Sequence, residues 1–127
     1  MRQEITRSRQ TEKEVCGLHA DMCKVFSHTI RLQILNALRE REMGVTELAA
    51  QLEVSVGSLS QHLIMMKRQR VLLSRKQGNK VFYRLANPKI LKAFDLIRQI
   101  LFEQLEREGA LIEGIREDGR SVRRNRP

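Results

Sequence analysis

Cys16, His19 and Cys23 recur at i, i+3 and i+7, a spacing that places two thiols and an imidazole along one side of a helix. Such groups bind soft metals or take part in thiol redox chemistry. Geometry limits both. Seven residues of helix rise about 10.5 Å, whereas a disulfide needs Cα atoms within about 7 Å. Cys16 and Cys23 therefore cannot close a simple disulfide within one intact helix. A bridge between two copies, a longer sulfur chain or an unwound helix would permit it. His19 with either cysteine can reach one metal ion, but all three around one ion would be strained. The alternative is that Cys23 is a small core residue beside Met22 and Phe26, and that Cys16 is incidental, as free cysteines often are. Both readings stand open, and neither makes a cofactor obligatory.

A second constellation does recognition chemistry rather than bond-making. Residues 55–70 read SVGSLSQHLIMMKRQR. On a helix, Val56, Leu59, Leu63 and Met66 line one face, while Gly57, Ser58, Gln61, Ile64, Met65 and Arg68 occupy the other, with Ser60 and His62 on the flanks. The outer face shows a hydroxyl, an amide and a glycine, and no acid. Such small groups can approach a surface of hydrogen-bonding edges closely. The major groove of DNA is one, where Gln pairs well with adenine and Ser adapts to several partners.

The charge pattern agrees. Of the net charge of +9, nine positive residues fall between Val54 and Phe94: Lys67, Arg68, Arg70, Arg75, Lys76, Lys80, Arg84, Lys89 and Lys92. That stretch holds no Asp or Glu, so the basicity is one contiguous block suited to a polyanion. Nothing resembles a basic, aromatic-anchored interfacial helix, so a membrane is not the expected partner. The three histidines, His19, His28 and His62, fall in different elements. No nucleophile elbow, phosphate loop or His-Glu-x-x-His motif is present, and an enzyme is not expected.

The elements that position these residues follow from periodicity. At 127 residues the chain is expected to form one ordinary domain. No apolar run is long enough to span a bilayer, and MRQEITRSRQ lacks the apolar core of a secretory signal. A soluble, cytoplasmic protein with reduced thiols is expected. Residues 1–11 read as a flexible polar arm, 12–108 as the folded domain, and 109–127, with Arg116, Arg120, Arg123, Arg124 and Arg126, as a disordered basic tail that adds unspecific attraction to phosphate. From Thr11, Val15, Leu18, Met22 and Val25 or Phe26 set a helical period. Ser27 is a candidate cap for a second helix with the stripe Ile30, Ile34, Leu35 and Leu38. EREMG breaks the pattern. VTELAAQL then forms a short helix, with Thr46 as a plausible cap and Leu48, Ala49 and Leu52 facing inward. Only Glu53 and Val54 separate it from the cap Ser55, which predicts a helix-turn-helix.

After that helix, Val71 to Arg75 and Val81 to Leu85 alternate as strands, joined through Gln77, Gly78 and Asn79. Arg75, Lys76, Asn79 and Lys80 are expected at the hairpin tip, where cations suit phosphates. Asn87 and Pro88 open a last helix, cap then proline. Ile90, Phe94, Ile97, Leu101 and Leu105, widened by Leu91, Ile100 and Phe102, make a stripe broader than so small a domain can bury. Pairing with a second copy through the first and last helices is the simplest solution; a larger intrachain core is the alternative.

This order of elements, with a mainly α composition and a small β-hairpin, resembles the winged helix-turn-helix repressors of the ArsR/SmtB family. FSHTIRLQIL resembles the segment entering the second helix, VTELAAQLEVSVGSLSQHL the helix-turn-helix, and RKQGNKVFYRL the wing. The likeness runs from about Asp21 to Leu105. It implies a homodimer on a palindromic double-stranded DNA operator, repressing transcription until an effector releases it. The family's DNA-reading positions carry over onto Ser58, Ser60, Gln61 and His62, and its wing onto Arg75 and Lys80. Ser55, Arg68, Lys76 and Asn79 complete the candidate contact set.

Two departures stand out: Thr29 where the family usually has proline, and Arg70 where a glycine commonly ends the recognition helix. Arg70 either disturbs that end or adds a phosphate contact. The ligand positions of the family's metal sensors are also missing. Met43, Gly44 and Val45 precede the short helix without a Cys-x-Cys, and Pro88 to Glu108 contains no His or Cys. Asp95 alone is not a site, so zinc or cadmium is not expected there. The sensor candidates are therefore Cys16 and Cys23, responding to oxidants, reactive sulfur or a soft metal. The rival readings are a regulator with no cysteine-dependent effector, and a winged helix used for protein interaction or sequence-neutral DNA binding.

Overall fold

A computed structural model describes residues 2–109, with side chains from Ser8 onward. Over these residues the chain forms α1 (Arg2–Cys23), a 3-10 turn (Lys24–Phe26), α2 (Thr29–Ala37), β1 (Met43–Gly44), α3 (Val45–Leu52), α4 (Val56–Arg68), β2 (Leu72–Gln77), β3 (Lys80–Leu85) and α5 (Lys89–Arg107). The chain divides into two compact units, Met1–Leu91 and Lys92–Pro127. The tail expected to be disordered lies, beyond Gly109, outside the described residues.

In the first unit most of the core lies where the apolar periods predicted it, with Met43 added from a segment that reads only as a break. Val25, Ile34, Leu35, Leu48, Leu59, Leu63, Met66 and Leu72 are fully buried, with Leu38, Met43, Ala49, Val71 and Tyr83 nearly so. Burying such side chains is the main favourable term holding these short helices together. α2 packs on the 3-10 turn, α3 and α4, and α3 packs on α4. None of these short helices would be stable alone in water.

Several boundaries differ from expectation. Helical backbone begins at Arg2 rather than near Thr11. His28, not Ser27, caps α2: its Nδ1 accepts from the Ile30 N–H at 3.1 Å. Ser27 instead donates its hydroxyl to the Lys24 carbonyl at 2.6 Å, closing the 3-10 turn. Thr29 is the first helical residue of α2, a position where proline is favoured because its N–H has no intrahelical partner. α3 starts at Val45 with Gly44 at the cap, so Thr46 lies inside the helix. Asn87 caps α5 as predicted, its Oδ1 accepting from the Lys89 N–H at 3.0 Å.

β1 was not legible: EREMG reads only as a break. Met43 and Gly44 pair antiparallel with Tyr83 and Phe82, giving a three-stranded sheet in the order β1-β3-β2. β2 and β3 pair from Leu72↔Leu85 to Gln77↔Lys80, around a two-residue turn at Gly78 and Asn79. Gly78 has φ +61°, and glycine at the first turn position suits a tight hairpin.

In the second unit, the described helix leaves Leu96, Ile97, Ile100, Leu101 and Phe102 exposed, and the Arg98 guanidinium lies 4.4 Å from the Phe94 ring centre. No helix among the described residues is long and apolar enough to cross a membrane.

Candidate nucleic-acid interface

Both helices of the helix-turn-helix end in a left-handed residue that is not glycine. Glu53 (φ 57°, ψ 44°) stops α3, with Val54 N–H donating to the Ala49 carbonyl at 3.1 Å. Arg70 (φ 62°) follows α4, with Arg70 N–H on the Lys67 carbonyl at 2.9 Å and Val71 N–H on the Met66 carbonyl at 3.0 Å. This is the pattern by which helices satisfy their last carbonyls, and glycine is its usual residue. Arg70 therefore leaves the helix end intact and carries the strain of a Cβ in that conformation.

α4 is fixed by its buried face and its cap. Leu59, Leu63 and Met66 have no exposed surface. Ser55 Oγ accepts from the Ser58 N–H at 3.1 Å, so its side chain organises the helix start. Val56, expected on the buried face, is 47 % exposed. It lies in the first turn and lines a recess of about 320 Å³ with Val45, Val81 and Phe82 instead of entering the core. Opposite the core, Ser58, Gln61, Ile64, Met65 and Arg68 are exposed, and Ser60 is half-buried on the flank. Arg68 faces a groove beside α1 lined by Leu18, Met22 and Met65, away from Ser58 at the helix start. The same end of α4 is tied to α1 by the Gln69 amide, which donates to the Asp21 carbonyl at 3.0 Å.

His62 is half-buried, and its ring lies 4.4 Å from that of His28. Its Nδ1 accepts from Arg31 Nε at 3.3 Å, while Arg31 Nη1 donates to the Lys24 carbonyl at 3.0 Å. Burial holds the His62 imidazole below its usual range, with His28 and Arg31 adding in the same direction. Through these contacts His62 ties α4 to α2. The sequence signal for it, a histidine on the flank of the recognition helix, did not reveal its partners.

The wing separates what the sequence grouped. Lys76, Asn79 and Lys80 are exposed at or next to the turn. Arg75 sits further back, opposite Phe82 in the ladder rather than at the tip. Its Nε donates to both Glu42 carboxylate oxygens, at 2.8 and 3.0 Å, and its Nη2 donates to Glu42 Oε1. These hydrogen bonds hold the Glu42 carboxyl below the usual carboxylate range; the charges of Arg75 and Arg84 act in the same direction, against partial desolvation. Glu42 lies outside the acid-free block, so the sequence count missed it. A second surface pair, Arg41 with Glu47, braces the start of α3.

Cys16 and Cys23 are both exposed thiols on the unbroken α1. Cys23 is the last residue of that helix, where it passes into the 3-10 turn, so the small-core-residue reading of Cys23 does not hold within a single chain. Cys16 Sγ donates to Glu12 Oε1 at 3.5 Å. His19 is exposed, and no cluster of three metal-ligating side chains occurs among the described residues.

Two helices joined by a left-handed turn, the second with a polar outer face and followed by a basic hairpin, define a winged helix-turn-helix DNA-binding protein. Residues 28–72 match the family described as bacterial regulatory protein, arsR family. The chain is 32 % identical over 103 residues to the HTH-type transcriptional regulator Rv0081 of Mycobacterium tuberculosis, spanning 80 % of this chain and 90 % of that protein. The crystal structure of Rv0081 superposes with TM-score 0.68 at 31 % identity, covering 76 % of this chain and 97 % of that one. The transcriptional activator HlyU of Vibrio cholerae is 34 % identical over 79 residues, 62 % of this chain and 73 % of HlyU. The homodimeric winged helix-turn-helix DNA-binding domain of Mb0332 from Mycobacterium bovis gives TM-score 0.68 at 25 % identity, covering 76 % and 89 %. This chain belongs to the ArsR family, which places it among transcriptional regulators and not among enzymes.

Proposed function

We propose that the protein is a homodimeric, sequence-specific regulator that binds a palindromic operator and represses transcription from it. The observation that carries this reading is the two-faced α4: Leu59, Leu63 and Met66 anchor it completely, while Ser58 and Gln61 stand exposed on a face without acids. Ser58, Gln61 and the flanking Ser60 read base edges, and Lys76, Asn79 and Lys80 on the wing meet phosphate or the neighbouring minor groove, while Arg68, in the groove beside α1, drops out of the contact set. Ser55 and His62 serve the interface by fixing the helix rather than by touching DNA. The exposed stripes Val15–Leu18–Met22 on α1 and Leu96–Ile97–Ile100–Leu101 on α5 support pairing of two copies, which would set two recognition helices about 34 Å apart. The test is a titration at physiological salt: the dimer selects one inverted repeat from a random pool by at least about 10³-fold over random duplex. Equal affinity for all duplexes would leave a sequence-neutral binder.

Exposure of both thiols supports a finer reading, in which modification of Cys16 and Cys23 by oxidants, reactive sulfur or a soft metal shifts α1 and releases the operator. Cys23, at the helical junction, is the thiol whose modification most directly alters the path into α2. Operator release by these reagents is expected to vanish in Cys16→Ser, Cys23→Ser protein. Release that persists in that variant assigns the switch elsewhere.

A further inference from the structure

A wing is useful only at a defined angle to the recognition helix, because both must reach one duplex at once. β1 pairs with β3 at Met43↔Tyr83 and Gly44↔Phe82, and towards the turn from this row the hairpin has only its own ladder. The row itself runs across three strands: Gly44, then Phe82, then Arg75. Gly44 and the Phe82 ring are direct neighbours, a Cβ on Gly44 standing in ordinary van der Waals contact with the ring at 3.5 Å. The Arg75 guanidinium lies 4.5 Å from the centre of the same ring and continues to Glu42, immediately before β1. Its Nη1 donates to Gln77 Oε1 at 2.9 Å, at the last paired position of β2. A single arginine thus joins the outer strand, the central ring and the segment entering the opposite strand.

We propose that Glu42 is a positioning residue for DNA binding: by clamping Arg75 across β3, it sets the angle at which the wing presents Lys76, Asn79 and Lys80. The inference rests on the DNA-binding reading above. On this account Arg75 serves the wing mainly as a brace, because its Nε–H and one N–H of each Nη are taken up by Glu42 and Gln77. Exposed ion pairs contribute little to folding, so the consequence falls on wing geometry and not on stability. The clamp also has a telling sign. Glu42 is an acid beside a surface meant for a polyanion, and by charge alone its removal should tighten binding.

The experiment uses the full chain and its highest-affinity duplex from a random pool, titrated by fluorescence anisotropy between about 50 and 200 mM salt. Glu42→Ala is expected to bind about fivefold or more weakly despite its added positive charge, with a salt slope shallower by about one for each phosphate that the wing no longer reaches. Its melting curve stays close to the wild type. Lys80→Ala should weaken the wild type clearly but the Glu42→Ala protein hardly at all, because an ungoverned wing no longer delivers that lysine. The charge reversal Glu42→Arg, Arg75→Glu restores the pair at unchanged net charge and should recover part of the affinity. Tighter or equal binding by Glu42→Ala with an unaltered slope overturns the proposal, as does a Lys80→Ala effect of the same size in both backgrounds. A wild-type protein that selects no duplex would instead overturn the sequence-specific reading on which the proposal rests.

Discussion

The imidazole of His62, on the recognition helix, lies 4.4 Å from that of His28, which caps α2. Arg31 completes the contact by donating to His62 Nδ1 at 3.3 Å. The acceptor nitrogen must be unprotonated for that bond, and both Arg31 and His28 face the ring that would gain the proton.

This contact predicts acid sensitivity. The folded-state pKa of His62 is lowered, so the unfolded chain takes up the proton first as pH falls. The stability contributed by neutral His62 is fully present above the ordinary histidine value of about 6.5 and is lost as pH falls below it towards the lowered folded value. Thermal melts between about pH 8 and pH 5 should show Tm falling over that window. His62→Asn, which keeps an acceptor for Arg31 but cannot be protonated, should flatten the decline; an unchanged pH slope would show that His62 is not its source.

Arg70 gives a stability prediction of opposite sign. A residue with a Cβ at φ 62° is strained by about 1 kcal/mol, part of which glycine's extra freedom in the unfolded chain offsets. Arg70→Gly should therefore stabilise by about 0.5 kcal/mol, visible as a small rise in the denaturant midpoint at constant m value. The same change at Glu53, at φ 57°, should act in the same direction. A loss of stability at Arg70 would mean that its side chain contributes more than its backbone costs.

Gln61 and Lys80 should separate base reading from phosphate contact. Gln61→Ala is expected to cost about 1–3 kcal/mol on the selected operator and far less on random duplex. Lys80→Ala should weaken both alike and lower the salt slope by about one. Equal losses for Gln61→Ala on cognate and random DNA would remove it from the base-reading set.

The exposed α5 stripe should decide assembly. Ile97 and Leu101, 53 % and 48 % exposed, stand one helical turn apart, and a charge there cannot be buried without a large penalty. Ile97→Glu, Leu101→Glu protein should sediment as a single 14.8 kDa chain and lose operator preference while retaining weak, salt-sensitive DNA binding. A variant that still sediments as a dimer would place the interface elsewhere.

The amino-acid order by itself determined the helices, the hairpin and the face of α4 that stays outside. Those follow from period and composition: Leu59, Leu63 and Met66 recur at helical spacing, and Ser58 and Gln61 fall opposite them wherever the helix packs. The acid-free run was equally legible because it is a property of neighbours along the chain. The sequence could not show that Glu42 would reach Arg75 from 33 residues away, nor that His62 would meet Arg31 and His28. It also could not show that Met43 and Gly44 would join a sheet through two residue pairs. Each of those is a contact between side chains or strands whose separation is set only once the elements have packed. Local periodicity carries which face of an element is apolar, but nothing about which polar group another element will bring to it. Tertiary structure alone therefore decided that two predicted DNA contacts, His62 and Arg75, are occupied with partners of their own.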